Sequence, residues 1–121
     1  MNNCSKMVSL LLHSRTQVHI FHWQTKSYAE HNALGSYYEE IVDLLDGLVE
    51  SYQGKYGILE NYKNMPLSNY VDSAQVIAFF DTMLEAIELL RQDNQDSYIQ
   101  NQIDTIVELL NTTKYKLRFL S

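Results

Sequence analysis

The residues with the most chemistry to offer lie in one block, FHWQTKSYAEH from Phe21 to His31, and in an acidic pair downstream of it. The block holds the single Trp, Trp23, and two of the four His, His22 and His31. Asp46 follows His31 by fifteen residues, and Glu50 follows Asp46 by four. Two imidazoles and two carboxylates form a ligand set of the kind that non-haem iron and zinc centres use.

Helix geometry decides how these groups can meet. Glu39, Asp43, Asp46 and Glu50 recur at spacings of four, three and four, and His31 and Gly35 continue the line toward the N-terminus. On a helix all of them fall on one face. A solvated acidic face opposite the core would read the same way. His19, His22 and Trp23 are three and four residues apart on the preceding helix, so a hairpin turning near Lys26 brings His22 close to His31. His31 and Asp46, however, are about 22 Å apart along one helix axis, too far for one ion. Asp46 and Glu50 can share an ion. A histidine half-site and a carboxylate half-site could join only between two copies packed about a twofold axis, which would make two equivalent sites. A di-iron centre inside one bundle needs two Glu-x-x-His motifs. The chain has none, because Glu30 and His31 are adjacent and no His follows His31. His13 and His19 are expected at the surface or beside a site, and Asp43 as a solvated or outer group. Tyr28, Tyr38, Tyr52 and Tyr56 around Lys26 and Lys55 supply a rival expectation, a polar pocket for a small anionic ligand or a host protein.

The elements that must position these residues are helices. The apolar period predicts them over about residues 5–24, 28–53, 72–92 and 97–119. The second carries the stripe Leu34, Tyr37, Ile41, Leu44, Leu45, Leu48 and Tyr52. The fourth runs its stripe out to Leu117 and Leu120. Gly54 and then Gly57 would stop the second helix, Asp72 or Ser73 would cap the third, and Asp96 the fourth. The connection from Lys55 to Val71 holds the one proline, Pro66. It can reach roughly 50 Å when extended, and the helices are about 30 to 38 Å long. It can therefore cross the whole bundle. The expected fold is all-α, a ferritin-like four-helix bundle with a long crossover between the second and third helices, with a plain up-down bundle as the alternative.

Composition bounds the rest. At 121 residues the chain is expected to be a single domain with a real core. The net charge is −6, and the densest basic group, Lys114, Lys116 and Arg118, suits a helix C-terminus. That balance disfavours direct nucleic-acid binding. No apolar run approaches the roughly 18 residues that span a bilayer, so no membrane association is expected. The N-terminus lacks the basic flank and cleavage site of a signal peptide. One Cys, Cys4, excludes an internal disulfide and suits a cytoplasmic location.

The elements His22-Trp23, His31 and Asp46-x-x-x-Glu50 resemble the Dps mini-ferritins over roughly residues 17–54. In that family an intersubunit ferroxidase site takes two His from one subunit and an Asp and a Glu from its twofold mate. The resemblance implies His22 and His31 as one half-site, Asp46 and Glu50 as the other, and Trp23 as the aromatic beside the metal. It implies iron as the cofactor, with zinc or no metal as alternatives, ferroxidase activity, and a homodimer or higher homo-oligomer. The chain departs from the pattern: the step from His22 to His31 is shorter, and Ser51 stands where the family carries Arg. The chain also resembles a group of short proteins of tailed phages and large DNA viruses. These share blocks similar to HWQTKSYAEH and to YQGKYG, here Tyr52–Gly57. That resemblance implies a viral accessory protein in the host cytoplasm.

Overall fold

A computed structural model describes residues 2–121, and four α-helices account for most of them. Helix α1 spans Asn3–Gln24, and the Asn2 side chain caps it by accepting from the Cys4 and Ser5 amides. Helix α2 spans Tyr28–Tyr56, and Ser27 caps it by accepting from the Glu30 amide at 3.2 Å. Helix α3 spans Ser73–Leu90, capped by Asp72. After a 3₁₀ turn, Arg91–Asp93, helix α4 spans Ser97–Phe119.

One boundary and one cap differ from the sequence reading. Helix α2 passes through Gly54 and stops only at Gly57, whose φ of +97° an L side chain rarely adopts. Asp96 does stand at the N-cap of α4, but it makes no capping hydrogen bond. Its carboxylate is held instead by Lys55 and Tyr56 of the last α2 turn, which draws that turn onto α4.

Residues 57–72 form a strap that decides the topology. Helix α2 ends beside the start of α1, where Asn2 Nδ2 donates to the Tyr52 hydroxyl at 2.8 Å. The strap then climbs the full length of α1. Ser5 donates to the Glu60 carbonyl, the Lys63 amide donates to Ser9, and His13 Nε2 donates to the Pro66 carbonyl. Gln17 exchanges two bonds with the Ser68 backbone, and the Tyr70 amide donates to Gln24. Helix α3 therefore starts beside the end of α1 and runs parallel to α2. Helix α1 packs on α2 and α3, and α4 packs on the same two. A plain up-down bundle would place α2 beside α3. The observed neighbours belong instead to the ferritin-like order with one long crossover.

The core lies along the bundle axis. Leu11, Val18 and Phe21 meet Leu34, Tyr37, Ile41 and Leu48, with Phe80, Ile87, Ile106 and Leu110 closing the far side. Each such side chain contributes about 1.5–3 kcal/mol by leaving water. The expected α4 stripe holds as far as Leu117, which is partly buried, whereas Leu120 lies beyond the helix and is exposed. One polar pair sits inside: the Ser14 and Tyr37 hydroxyls share a hydrogen bond of 2.7 Å, and Ser14 also donates to the Leu11 carbonyl. Among the described residues no helix is long and apolar enough to cross a membrane.

Candidate functional site

The turn between α1 and α2 is built from its own side chains. Thr25 donates to the buried Glu30 carboxylate at 2.6 Å and accepts from the Ser27 amide. This closes the hairpin tightly and sets His22 opposite His31.

The two imidazoles are stacked, with ring centroids 3.7 Å apart and an interplanar angle of 16°. His22 Nδ1 lies 2.6 Å from the His31 carbonyl oxygen, and His31 Nδ1 lies 2.8 Å from the His22 carbonyl oxygen. A carbonyl oxygen only accepts, so each Nδ1 carries a proton, which leaves Nε2 as the one ring nitrogen that can present a lone pair. The pair is thus a reciprocal latch between two helix ends. It requires Gly35: a Cβ there would sit 3.0 Å from His22 Cε1 and 3.3 Å from His22 Nδ1. The α2 backbone leaves the space that the His22 ring occupies.

A ladder of rings continues outward from the latch. Tyr38 meets His22 edge-on at 5.2 Å and stacks on His19 at 4.0 Å, and His19 leans on Trp23 at 4.2 Å. On the other side Tyr28 lies 6.4 Å from His31. The two outer rings are open to solvent: Trp23 is 67% exposed and Tyr28 79%. Partial burial, and then the charges of Arg15 and His22, lower the His19 pKa from its ordinary value, which favours the neutral, stackable ring.

Of the residues singled out from sequence, the fold gathers His19, His22, Trp23, Tyr28 and His31 at the α1–α2 turn. Lys26 projects into solvent from that turn. The acidic line divides, which corrects the expectation of one shared face. His31 and Gly35 turn toward α1, while Glu39, Asp43, Asp46 and Glu50 are exposed on the outer side of α2. Within one chain His31 and Asp46 remain about 22 Å apart along α2. Among the described residues no three His, Cys, Asp or Glu side chains gather closely enough to hold a metal ion. The expected polar pocket around both Lys26 and Lys55 is also corrected, because these residues flank opposite ends of the 29-residue α2, about 40 Å apart. Lys55 joins a separate cluster. It pairs with Asp96 at 2.5 Å and lies over the rings of Tyr56 and Tyr98. These partners raise the Lys55 pKa and lower that of Asp96, so both stay charged.

Comparison with known proteins now adds to this geometry. A model of DUF5856, a family of unknown function, matches residues 22–117. The chain belongs to the DUF5856 family. The matched segment begins at His22 and takes in the latch, the strap and all of α2 and α3. The chain is also 27% identical over 116 residues to the uncharacterized 14.6 kDa protein in the mobD-ri intergenic region of Enterobacteria phage T4. That alignment covers 96% of this chain and 88% of the relative. No solved structure matches. Neither match is to a ferritin. For this DUF5856 member they support the likeness to phage proteins rather than the likeness to mini-ferritins.

Three features escaped the sequence reading. One is the seat that Gly35 provides for His22, marked only by a glycine inside a helix. Another is the partnership of Lys55 and Tyr56 with Asp96. The last is a cavity at the far end of the bundle, lined in part by Asn2, Asn3 and Asp93.

Proposed function

We propose that this chain is a non-enzymatic phage accessory protein: a helical bundle of the host cytoplasm that self-associates and docks a host protein through the outer face of its α1–α2 hairpin. The observation that carries this reading is the ring ladder. The Nδ1 atoms of His22 and His31 are committed to backbone carbonyls, while Trp23 and Tyr28 present open aromatic faces. Leu12, 47% exposed, precedes His19 and Trp23 on the same stripe of α1, and Val42 follows Tyr38 on α2. Exposed aromatic and aliphatic groups on one face are the usual anchors of protein interfaces. The phage relative supports the setting. Light scattering tests the reading. The wild type should have a mass above that of a monomer at micromolar concentration, and Leu12→Glu or Trp23→Ala should lower it with an unchanged helical circular dichroism spectrum. A monomeric wild type would refute it.

A second reading, an iron protein with an intersubunit site, keeps one specific support. With each Nδ1 donating to a carbonyl, His22 and His31 hold the tautomer that metal-ligating histidines use. Two imidazoles and two carboxylates also have the donor chemistry for iron or zinc. His22 and His31 would serve with Asp46 and Glu50 of a twofold partner, and would hold Fe(II) while dioxygen or peroxide takes up its electrons to leave Fe(III). Metal content of chelator-free protein separates the readings. Fe or Zn lost together in Asp46→Ala and His31→Ala supports the second, and a metal-free oligomer that does not oxidise Fe(II) supports the first.

A further inference from the structure

The bundle end opposite the ring ladder contains a cavity of about 320 Å³ between the start of α1, the end of α2 and the α3–α4 turn. That is the lower range of small-molecule sites. Its floor is apolar, from Met7, Leu48, Leu90, Ile99 and Ile103, and the Tyr52 ring forms a wall backed by Tyr56 at 4.7 Å. The mouth is polar and rich in carboxamides: Asn2, Asn3 and Asn94 stand beside the Asp93 carboxylate, which accepts from Asn3. Arg91 is the one cation among the described lining residues. Its guanidinium is already committed to Gln100, Asp104 and Glu88. Among the described residues no free cation stands beside Asp93, so a phosphate or carboxylate ligand would meet its like charge. Burial pushes the Cys4 thiol up to about 11, so this lining group is also neutral at pH 7.

An apolar slot walled by an aromatic ring and a thioether accepts a flat hydrophobic body. Carboxamides with a carboxylate can pair with the mixed donor and acceptor edge of a heterocycle, as Asn pairs with adenine and Asp with cytosine. We propose that this cavity binds an uncharged nucleobase-sized heterocycle, with its ring over Tyr52 and Met7 and its polar edge toward Asn3, Asp93 and Asn94. A free nucleoside is the simplest such ligand. This inference is independent of the reading of the hairpin face, which lies at the other end of the molecule.

The test uses the full chain with adenosine, guanosine, cytidine and uridine at millimolar concentration, followed by thermal shift and by saturation-transfer NMR. At least one nucleoside should raise the melting temperature and show transfer to its base protons. The corresponding 5′-monophosphate should bind more weakly. Ile103→Phe, which fills the floor, should abolish both signals. Should that variant fail to fold, Asn3→Ala at the exposed mouth should weaken binding by about tenfold, the effect of losing one or two hydrogen bonds. Three results would overturn the proposal: silence from all four nucleosides in both assays, equal signals in the wild type and Ile103→Phe, or tighter binding of the monophosphates.

Discussion

Replacing Gly35 with Ala tests the latch directly, because the same change at two other α2 glycines supplies the control. Outside any tertiary constraint, Gly→Ala within a helix stabilises by about 1 kcal/mol. At Gly54 nothing lies within 4 Å of the new Cβ, and at Gly47 the nearest atom is the flexible end of Gln102 at 3.5 Å. Both substitutions should raise the unfolding free energy by about 0.5–1 kcal/mol. At Gly35 the Cβ would come within 3.0 Å of His22 Cε1, and the ring cannot retreat far. It is stacked on His31 at 3.7 Å and already sits 2.6 Å from its carbonyl partner. Overpacking costs about 1–3 kcal/mol, and breaking the Nδ1–H···O bond adds about 1 kcal/mol. Set against the helical gain, the net effect is a loss of about 1–3 kcal/mol. For a chain of this length each kcal/mol moves the melting temperature by about 4 °C. Urea and thermal melts at fixed protein concentration should therefore show Gly35→Ala shifted down while Gly54→Ala moves up. In His22→Ala the penalty should vanish, giving a coupling energy of about 1 kcal/mol or more in a double-mutant cycle. A Gly35→Ala protein as stable as Gly54→Ala would refute the account of His22 seated against the α2 backbone.

Other consequences are open to measurement. Gln17→Ala removes both bonds to the Ser68 backbone from a buried position, and it should cost about 1–3 kcal/mol and accelerate hydrogen exchange at the Ser68 amide. Trp23→Ala should change stability by less than about 0.5 kcal/mol, because the ring is largely exposed, while lowering the mass seen by light scattering. Alkali should destabilise the fold in two stages. Burial raises the Cys4 thiol from 9.0 to about 11, and raises the Tyr37 phenol above its ordinary 10.0 against a smaller opposing effect of its bond to Ser14. Both groups deprotonate in the unfolded chain before they do so in the folded one. Their stabilisation is complete below about pH 9 and is lost as pH rises past it. Cys4→Ala should remove the first stage and Tyr37→Phe the second; stability that stays flat up to pH 11 in the wild type would contradict both.

Much of the fold was legible because it rests on period. Leu34, Tyr37, Ile41 and Leu48 are spaced for one buried face, and all four are buried. The strap was legible only as a length that could cross the bundle. Yet its seat was written in α1. Ser5, Ser9, His13 and Gln17 step by four, and each bonds the strap backbone. A polar stripe on a helix is ordinarily solvated, and only the long connection reveals that this one has a backbone to hold. The end of α2 misled for a related reason. Gly54 weakens a helix without forbidding it, and the pull of Asp96 on Lys55 and Tyr56 carries the helix one turn further.

The site was half legible, and the illegible half concerns what the histidines do. Proximity of His22 and His31 followed from a short hairpin, and they do meet. Residue types then suggested metal ligands, because imidazole and carboxylate are the side chains that bind ions. The partners they have within the chain are main-chain carbonyls, which no residue letter records. Gly35 carried the one readable trace, an absent side chain where a ring must fit. The same helix period that placed Asp46 and Glu50 in a tempting register with His31 also kept them apart. On a straight helix fifteen residues separate by about 22 Å however well their faces align. Within the chain, then, the histidine block fastens α1 to α2 and leaves Trp23 and Tyr28 facing solvent. A site that joins Asp46 and Glu50 to the histidines needs a second molecule, which is why oligomeric mass and metal content together decide between the two readings.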